Sequence, residues 1–132
     1  IVPIDAMKQT ETTRVVVRSP SHNGAEFSDI VHRIGLHGVS YSVGYTAWLD
    51  LAPEGVSKAS GLEQVRRWLH VPPEYTVAVG DGRNDLEMVR WAARGVAMGN
   101  AVPEVKELAD LVAPSNSEDG VAVVLEELLG DG

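Results

Sequence analysis

The sequence predicts an α/β protein: a doubly wound layered core with a parallel sheet over residues 54–132, preceded by part of a small α/β cap-like unit over residues 1–53. Three observations predict it. Two short, wholly apolar runs, Thr76-Val77-Ala78-Val79-Gly80 and Gly95-Val96-Ala97-Met98-Gly99, have the composition of strands covered on both faces. Segments with helical spacing alternate with them. These two runs end in Gly80-Asp81 and Gly99-Asn100, and a third strand-like segment ends in Ser115-Asn116, all turn-forming pairs at the carboxyl edge where such sheets bind ligands.

In chain order, Thr13 to Ser19 is rich in β-branched residues and predicts a strand. A short helix follows over Ala25 to Gly35, with Phe27, Ile30, Val31 and Ile34 at helical spacing. Val39 to Pro53 predicts two strands with the bend near Gly44. The seam between units is expected between Pro53 and Ser57. Beyond it, Ser57 to Val71 predicts a helix with Leu62, Val65 and Leu69 on one stripe, Ser57 or Ser60 as N-cap, and Ser60/Glu63 spaced as a capping box. After the strand ending at Gly80, Leu86 to Gly95 predicts a helix with Leu86, Val89 and Ala93 inward and Gly95 as its C-terminal stop. Val102 to Asp110 is a further helix with Pro103 in its first turn, Leu111 to Ser115 a third strand, and Ser117 to Leu129 the closing helix.

Composition narrows the function. With 132 residues and 44% apolar content the chain can bury a core. Nineteen acids against eleven bases give a net charge of −8, and no Lys/Arg cluster interrupts it, which argues against nucleic acid and anionic membrane as partners. The absence of cysteine removes disulfides and thiolate metal sites. No apolar run approaches the roughly 18 residues of a membrane span, and a soluble, cytoplasmic protein is expected. The chain begins at Ile1 rather than Met, so a longer translated product is an open expectation.

Asp81, Asn84 and Asp85 carry the chemistry. The first ends a strand and the others fall at the first turn of the next helix, so all three can face one point. Two adjacent carboxylates repel unless a cation lies between them, and hard oxygen ligands without His or Cys suit Mg²⁺. Gly80 and Gly82 allow a tight turn and close approach to a ligand, and a metal-bound phosphate meets these demands together. The alternative is that Gly-Asp-Gly-x-Asn-Asp is turn chemistry alone. Lys58 is the second candidate: the only lysine between Lys8 and Lys106, it sits at a helix start, where a cation opposes the macrodipole. Phosphate oxygens or a site carboxylate would hold it there; otherwise it is a solvated first-turn lysine. The four histidines show no ligand spacing, the three tryptophans fit packing roles, and neither a dinucleotide fingerprint nor a nucleophile elbow is present.

With Lys58, Gly80-Asp81-Gly82-Arg83-Asn84-Asp85, "GVAMGNA" and "APSNSEDGVAVVLEELL", the chain resembles the C-terminal part of a haloacid dehalogenase superfamily phosphatase of the Cof type, which carries a mobile α/β cap. The resemblance runs closely from Trp48 to Leu129 and more loosely before that, as the last part of a cap. It implies a Rossmann-like three-layer core and a Mg²⁺-dependent phosphatase that hydrolyses a small phosphorylated metabolite through an aspartyl-phosphate. It further implies that Lys58 contacts the phosphoryl group and nucleophile, Asp81 binds Mg²⁺, Asn84 touches substrate phosphate and Asp85 supports the metal. Two features depart from the family. The lysine is followed by Ala59-Ser60-Gly61-Leu62 rather than directly by glycine, and the Asp-x-Asp nucleophile motif is not in these residues; Asp5 lies in a different context. The remainder of the same protein, or a complementary chain, is therefore expected to supply the nucleophile, and this chain alone is expected to be inactive. Two rivals stand beside this expectation: the phosphorylation domain of a cation-transporting ATPase, and a non-catalytic interaction module with a decayed site.

Overall fold

The computed structural model of the chain describes residues 3–7, 9, 11–37, 39–43 and 47–130; the expected bend at Gly44 lies outside them. The chain separates into two compact units, Ile1–Val56 and Ser57–Gly132.

In the first unit, α1 (Ile4–Met7) is a single turn that the sequence pattern does not announce. Strand β1 (Val15–Arg18), helix α2 (Gly24–Ile34) and strands β2 (Val39–Val43) and β3 (Trp48–Pro53) follow. The strands form an antiparallel sheet in the order β1-β3-β2, with Val17 opposite Leu49 and Tyr41 opposite Leu51. Asn23 caps α2 by accepting from the Glu26 amide, while the Glu26 carboxylate accepts from the Asn23 amide. Phe27 and Val31 pack with Ala47 and Leu49 as the unit's core. Ile34, expected on that stripe, is instead exposed at the helix end.

The second unit opens with α3 (Lys58–Trp68), then β4 (Val77–Gly80), α4 (Leu86–Trp91), β5 (Arg94–Ala97), α5 (Pro103–Leu108), β6 (Leu111–Val112) and α6 (Gly120–Gly130). Its three strands run parallel in the order β4-β5-β6, with Val79 beside Val96 and Ala97 beside Val112. Successive side chains on a strand point to opposite faces, and β5 shows this directly. Ala97 packs with Val89, Met98, Ala101 and Val105, whereas its neighbour Val96 packs with Ala113 and Val124 of the opposite layer. Val96 and Val105 are fully buried, each contributing roughly 1.5–3 kcal/mol of apolar transfer. Helices on both faces explain why these strands are continuously apolar rather than alternating.

Four expectations are corrected. The N-cap of α3 is Ser57, and its capping box closes with Ser60, not between Ser60 and Glu63. Glu63 is engaged elsewhere, accepting from Arg66, Arg67 and the Trp91 indole at 3.0 Å. The stripe Leu62, Val65 and Leu69 is exposed, and among the described residues α3 buries none of its side chains. Periodicity marks which side of a helix is apolar, but it cannot say whether an element lies against it. Gly95 does not stop α4, which ends at Trp91; it lies inside β5, where a Cβ would come 2.3 Å from the Val89 carbonyl oxygen. Gly95 is required by a strand passing close beneath a helix end, so the glycine signal was real and its cause different. Trp68 is likewise exposed rather than packed.

Candidate active site

The site forms at the carboxyl ends of β4 and β5, where the loops after Gly80 and Ala97 run side by side. Met98 donates its amide to the Gly80 carbonyl at 2.9 Å, and Val102 donates to the Asp81 carbonyl at 3.0 Å. The backbone of Asp81 is thereby held across both loops. After Gly82 the chain makes one 3₁₀ turn, Arg83–Asp85, and passes directly into α4.

Asp85 organises this turn. It is 3% exposed, and its Oδ2 accepts from the Asp81 amide at 2.9 Å and the Gly82 amide at 3.0 Å. Its Oδ1 accepts from Lys58 Nζ, which reaches it from the first turn of α3. Burial alone would raise the Asp85 carboxyl, but the Lys58 ammonium and the Gly82 and Asp81 amides outweigh it, and the group is held below the usual carboxylate range. Gly80 makes room for this carboxylate: a Cβ there would lie 2.5 Å from Asp85 Cβ. The Lys58 side chain remains 49% exposed. An ammonium has three donors, so Lys58 can hold Asp85 and still offer N–H bonds to a ligand.

Asp81 differs from Asp85. It is exposed, and among the described residues its side chain is met by one protein group, the Asn100 amide nitrogen, at 3.3 Å from Oδ2. Lys58, Asp81 and Asp85 line one open cleft of about 340 Å³ together with Val79, Gly80, Met98, Asn100 and Asn116. Asn84 stands apart. It is exposed at the tip of the turn, outside the cleft lining, with its Oδ1 close against Gly82. Arg83 faces outward to Glu104 on α5, Nη2 to Oε1 at 2.6 Å.

Sequence patterning points to Lys58, Asp81, Asn84 and Asp85; the structure brings Lys58, Asp81 and Asp85 together and leaves Asn84 outside the cleft lining. Asn100 and Asn116 lie at strand ends that the sequence marks as the ligand edge, yet nothing local shows that the Asn100 amide meets Asp81 or that the Asn116 backbone N–H donates to Asn100. Among the described residues no three His, Cys, Asp or Glu side chains converge; the carboxylates at this cleft are those of Asp81 and Asp85.

A family model described as haloacid dehalogenase-like hydrolase matches residues 6–125. The chain belongs to that family. Over 79 residues it is 43% identical to the 5-amino-6-(5-phospho-D-ribitylamino)uracil phosphatase YitU of Bacillus subtilis (strain 168), an alignment covering 60% of this chain and 29% of that protein. Among solved structures, the phosphatase BT1666 from Bacteroides thetaiotaomicron matches with a TM-score of 0.78 at 30% identity, covering 96% of this chain and 46% of that one. The subclass IIB sugar phosphatase BT4131 matches with a TM-score of 0.79 at 29% identity, covering 96% and 47%. These neighbours place the chain with the Cof-type phosphatases of the family and share its layered core with a parallel sheet. The matched residues span only 31%, 27% and 29% of the lengths of YkrA, the stress response protein YhaX and YitU of Bacillus subtilis (strain 168).

Proposed function

We propose that residues 54–132 form one wall of the active site of a Mg²⁺-dependent phosphomonoesterase, and that residues 1–53 are the end of its cap. In the whole protein an aspartate outside these residues attacks phosphorus as the bond to the substrate's alcohol oxygen breaks and the alcohol leaves protonated, and water then hydrolyses the aspartyl-phosphate to inorganic phosphate and the free aspartate. The observation that carries the proposal is the cleft itself, where an exposed carboxylate, a buried carboxylate and a half-exposed ammonium share the ligand edge of a parallel sheet.

The residues fit a hard cation. Asp81 presents an open carboxylate oxygen, the donor type Mg²⁺ prefers, and Asp85 stands behind it with both oxygens already accepting hydrogen bonds, suited to support the ion through water. Bound there, the ion would supply positive charge against the phosphoryl oxygens as charge develops on them. Lys58 meets the same oxygens from the α3 side with its remaining N–H donors. Asn84, exposed on the turn, is proposed to contact the substrate phosphate. The named activities of YitU and BT4131 both concern small phosphorylated metabolites, which supports a sugar phosphate or similar compound as substrate. The remainder of the protein, or a complementary chain, is the proposed source of the nucleophile, and this chain alone is proposed to be inactive. The cytoplasm is the proposed compartment, on the cysteine-free composition.

The test uses the whole protein with p-nitrophenyl phosphate and MgCl₂. Asp81→Ala is expected to lower kcat/KM by about 10²-fold or more. Full activity in that variant, or in excess EDTA, would overturn the proposal.

A further inference from the structure

We infer that Asn100 is a positioning residue for Asp81, fixing which carboxylate oxygen faces the cation; the inference rests on the metal role proposed above. The orientation of an Asn side chain is set by its partners, because one end donates and the other accepts. The backbone N–H of Asn116 points at one end of Asn100 at 2.9 Å. A backbone N–H can only donate, so the oxygen Oδ1 must occupy that side. Nδ2 is thereby turned to Asp81 Oδ2 at 3.3 Å. The amide thus engages Oδ2 and leaves Oδ1 of Asp81 as the oxygen open to the cleft.

The mount is stiff. Gly99 donates to the Pro114 carbonyl at 3.2 Å, Ala101 donates to the Met98 carbonyl at 2.8 Å, and Lys106 Nζ reaches the Gly99 carbonyl at 2.5 Å from α5. Gly99 packs so closely on the next loop that a Cβ would lie 2.7 Å from the Ser115 nitrogen. The loop after β6 therefore holds Asn100, which in turn holds the ligand carboxylate on the loop after β4. Groups that orient a metal ligand in this way commonly change metal affinity by about 10- to 100-fold when removed.

The test is a MgCl₂ titration of the ¹⁵N-labelled chain, followed by the Asn100 side-chain NH₂ signals and the Asp81, Gly82 and Asn116 amides. In the unaltered chain these signals are expected to move together with one Kd. Asn100→Ala is expected to weaken that Kd by about tenfold or more. In an Asp81→Ala background the same change is expected to have no further effect, since Asn100 acts through Asp81. Asn116→Pro deletes the N–H that orients Asn100, at the first position of a 3₁₀ turn where proline is tolerated. It is expected to weaken Mg²⁺ in the same direction while leaving Asn100 in place, and it serves if Asn100→Ala does not fold. An unchanged Kd in either folded variant overturns the inference and leaves the proposed function standing. No response of the unaltered chain to MgCl₂ also overturns the inference, while the proposed function stands or falls on the whole-protein assay.

Discussion

Asp85 shows how one carboxylate can define a site from within. Buried, it keeps its charge because three donors converge on it, and two of those donors belong to the loop it stabilises. Asp85→Asn preserves shape but sets an amide against the Lys58 ammonium, and should cost about 2–4 kcal/mol in urea unfolding of the chain. The pH dependence has a definite sign. The folded carboxyl lies below its unfolded value of about 3.9, so its contribution is fully present above that pH and is lost as pH falls through the folded pKa. The unaltered chain should therefore lose more stability than Asp85→Asn between about pH 4 and pH 2, by parallel urea titrations. A difference between the two that does not shrink on acidification would contradict this account. Lys58, Asp81 and Asp85 are legible in the sequence because each is anomalous where it stands: a lysine at a helix start, and two acids at a strand mouth. That a site carboxylate could hold Lys58 is legible; that the carboxylate is Asp85, 27 residues away, rather than Asp81, is not, since nothing local encodes it.

At the scale of elements, the two glycines of α3 and β5 make opposite cases. Gly61 lies inside α3 with open space where a Cβ would be, and Gly61→Ala should stabilise the chain by about 0.5–1 kcal/mol. Gly95 has the Val89 carbonyl oxygen in that space, so Gly95→Ala forces β5 and α4 apart and should cost at least about 1–3 kcal/mol. Thermal unfolding of both variants beside the unaltered chain checks the pair, and a matching sign for the two would sink the packing argument. Both positions read as glycine in a helical or strand pattern; only the neighbouring element tells them apart. The same limit applies to α3, whose apolar stripe the sequence displays and whose contact with α4 runs instead through Glu63 and the Trp91 indole. Arg66, then Arg67 and that indole hold the Glu63 carboxyl well below its ordinary range. The polar tether is invisible to hydrophobic periodicity because it is built from residues on a helix's charged side.

For the molecule as a whole, each unit carries its own core: Phe27, Val31, Ala47 and Leu49 in the first, and two layers about β5 in the second. The cleft is lined from residues 58 to 121 alone. Residues 57–132 expressed by themselves should therefore keep the amide signals and slow hydrogen exchange of Val96, Ala97 and Val105, measured by NMR against the whole chain. Collapse of those signals would show that the core needs the first unit. From the sequence alone came the α/β alternation, the carboxyl edge of the sheet and the acidic loop that lies there, because these depend on local spacing and turn chemistry. Only the tertiary structure decided that Asp85 is bound up inside the loop, that Asp81 is the open carboxylate, and that Asn100 turns toward it. A carboxylate's availability depends on the donors that reach it, and here the side-chain donors, Lys58 of α3 and Asn100 of the turn after β5, come from elsewhere in the chain, brought close only by packing of the sheet.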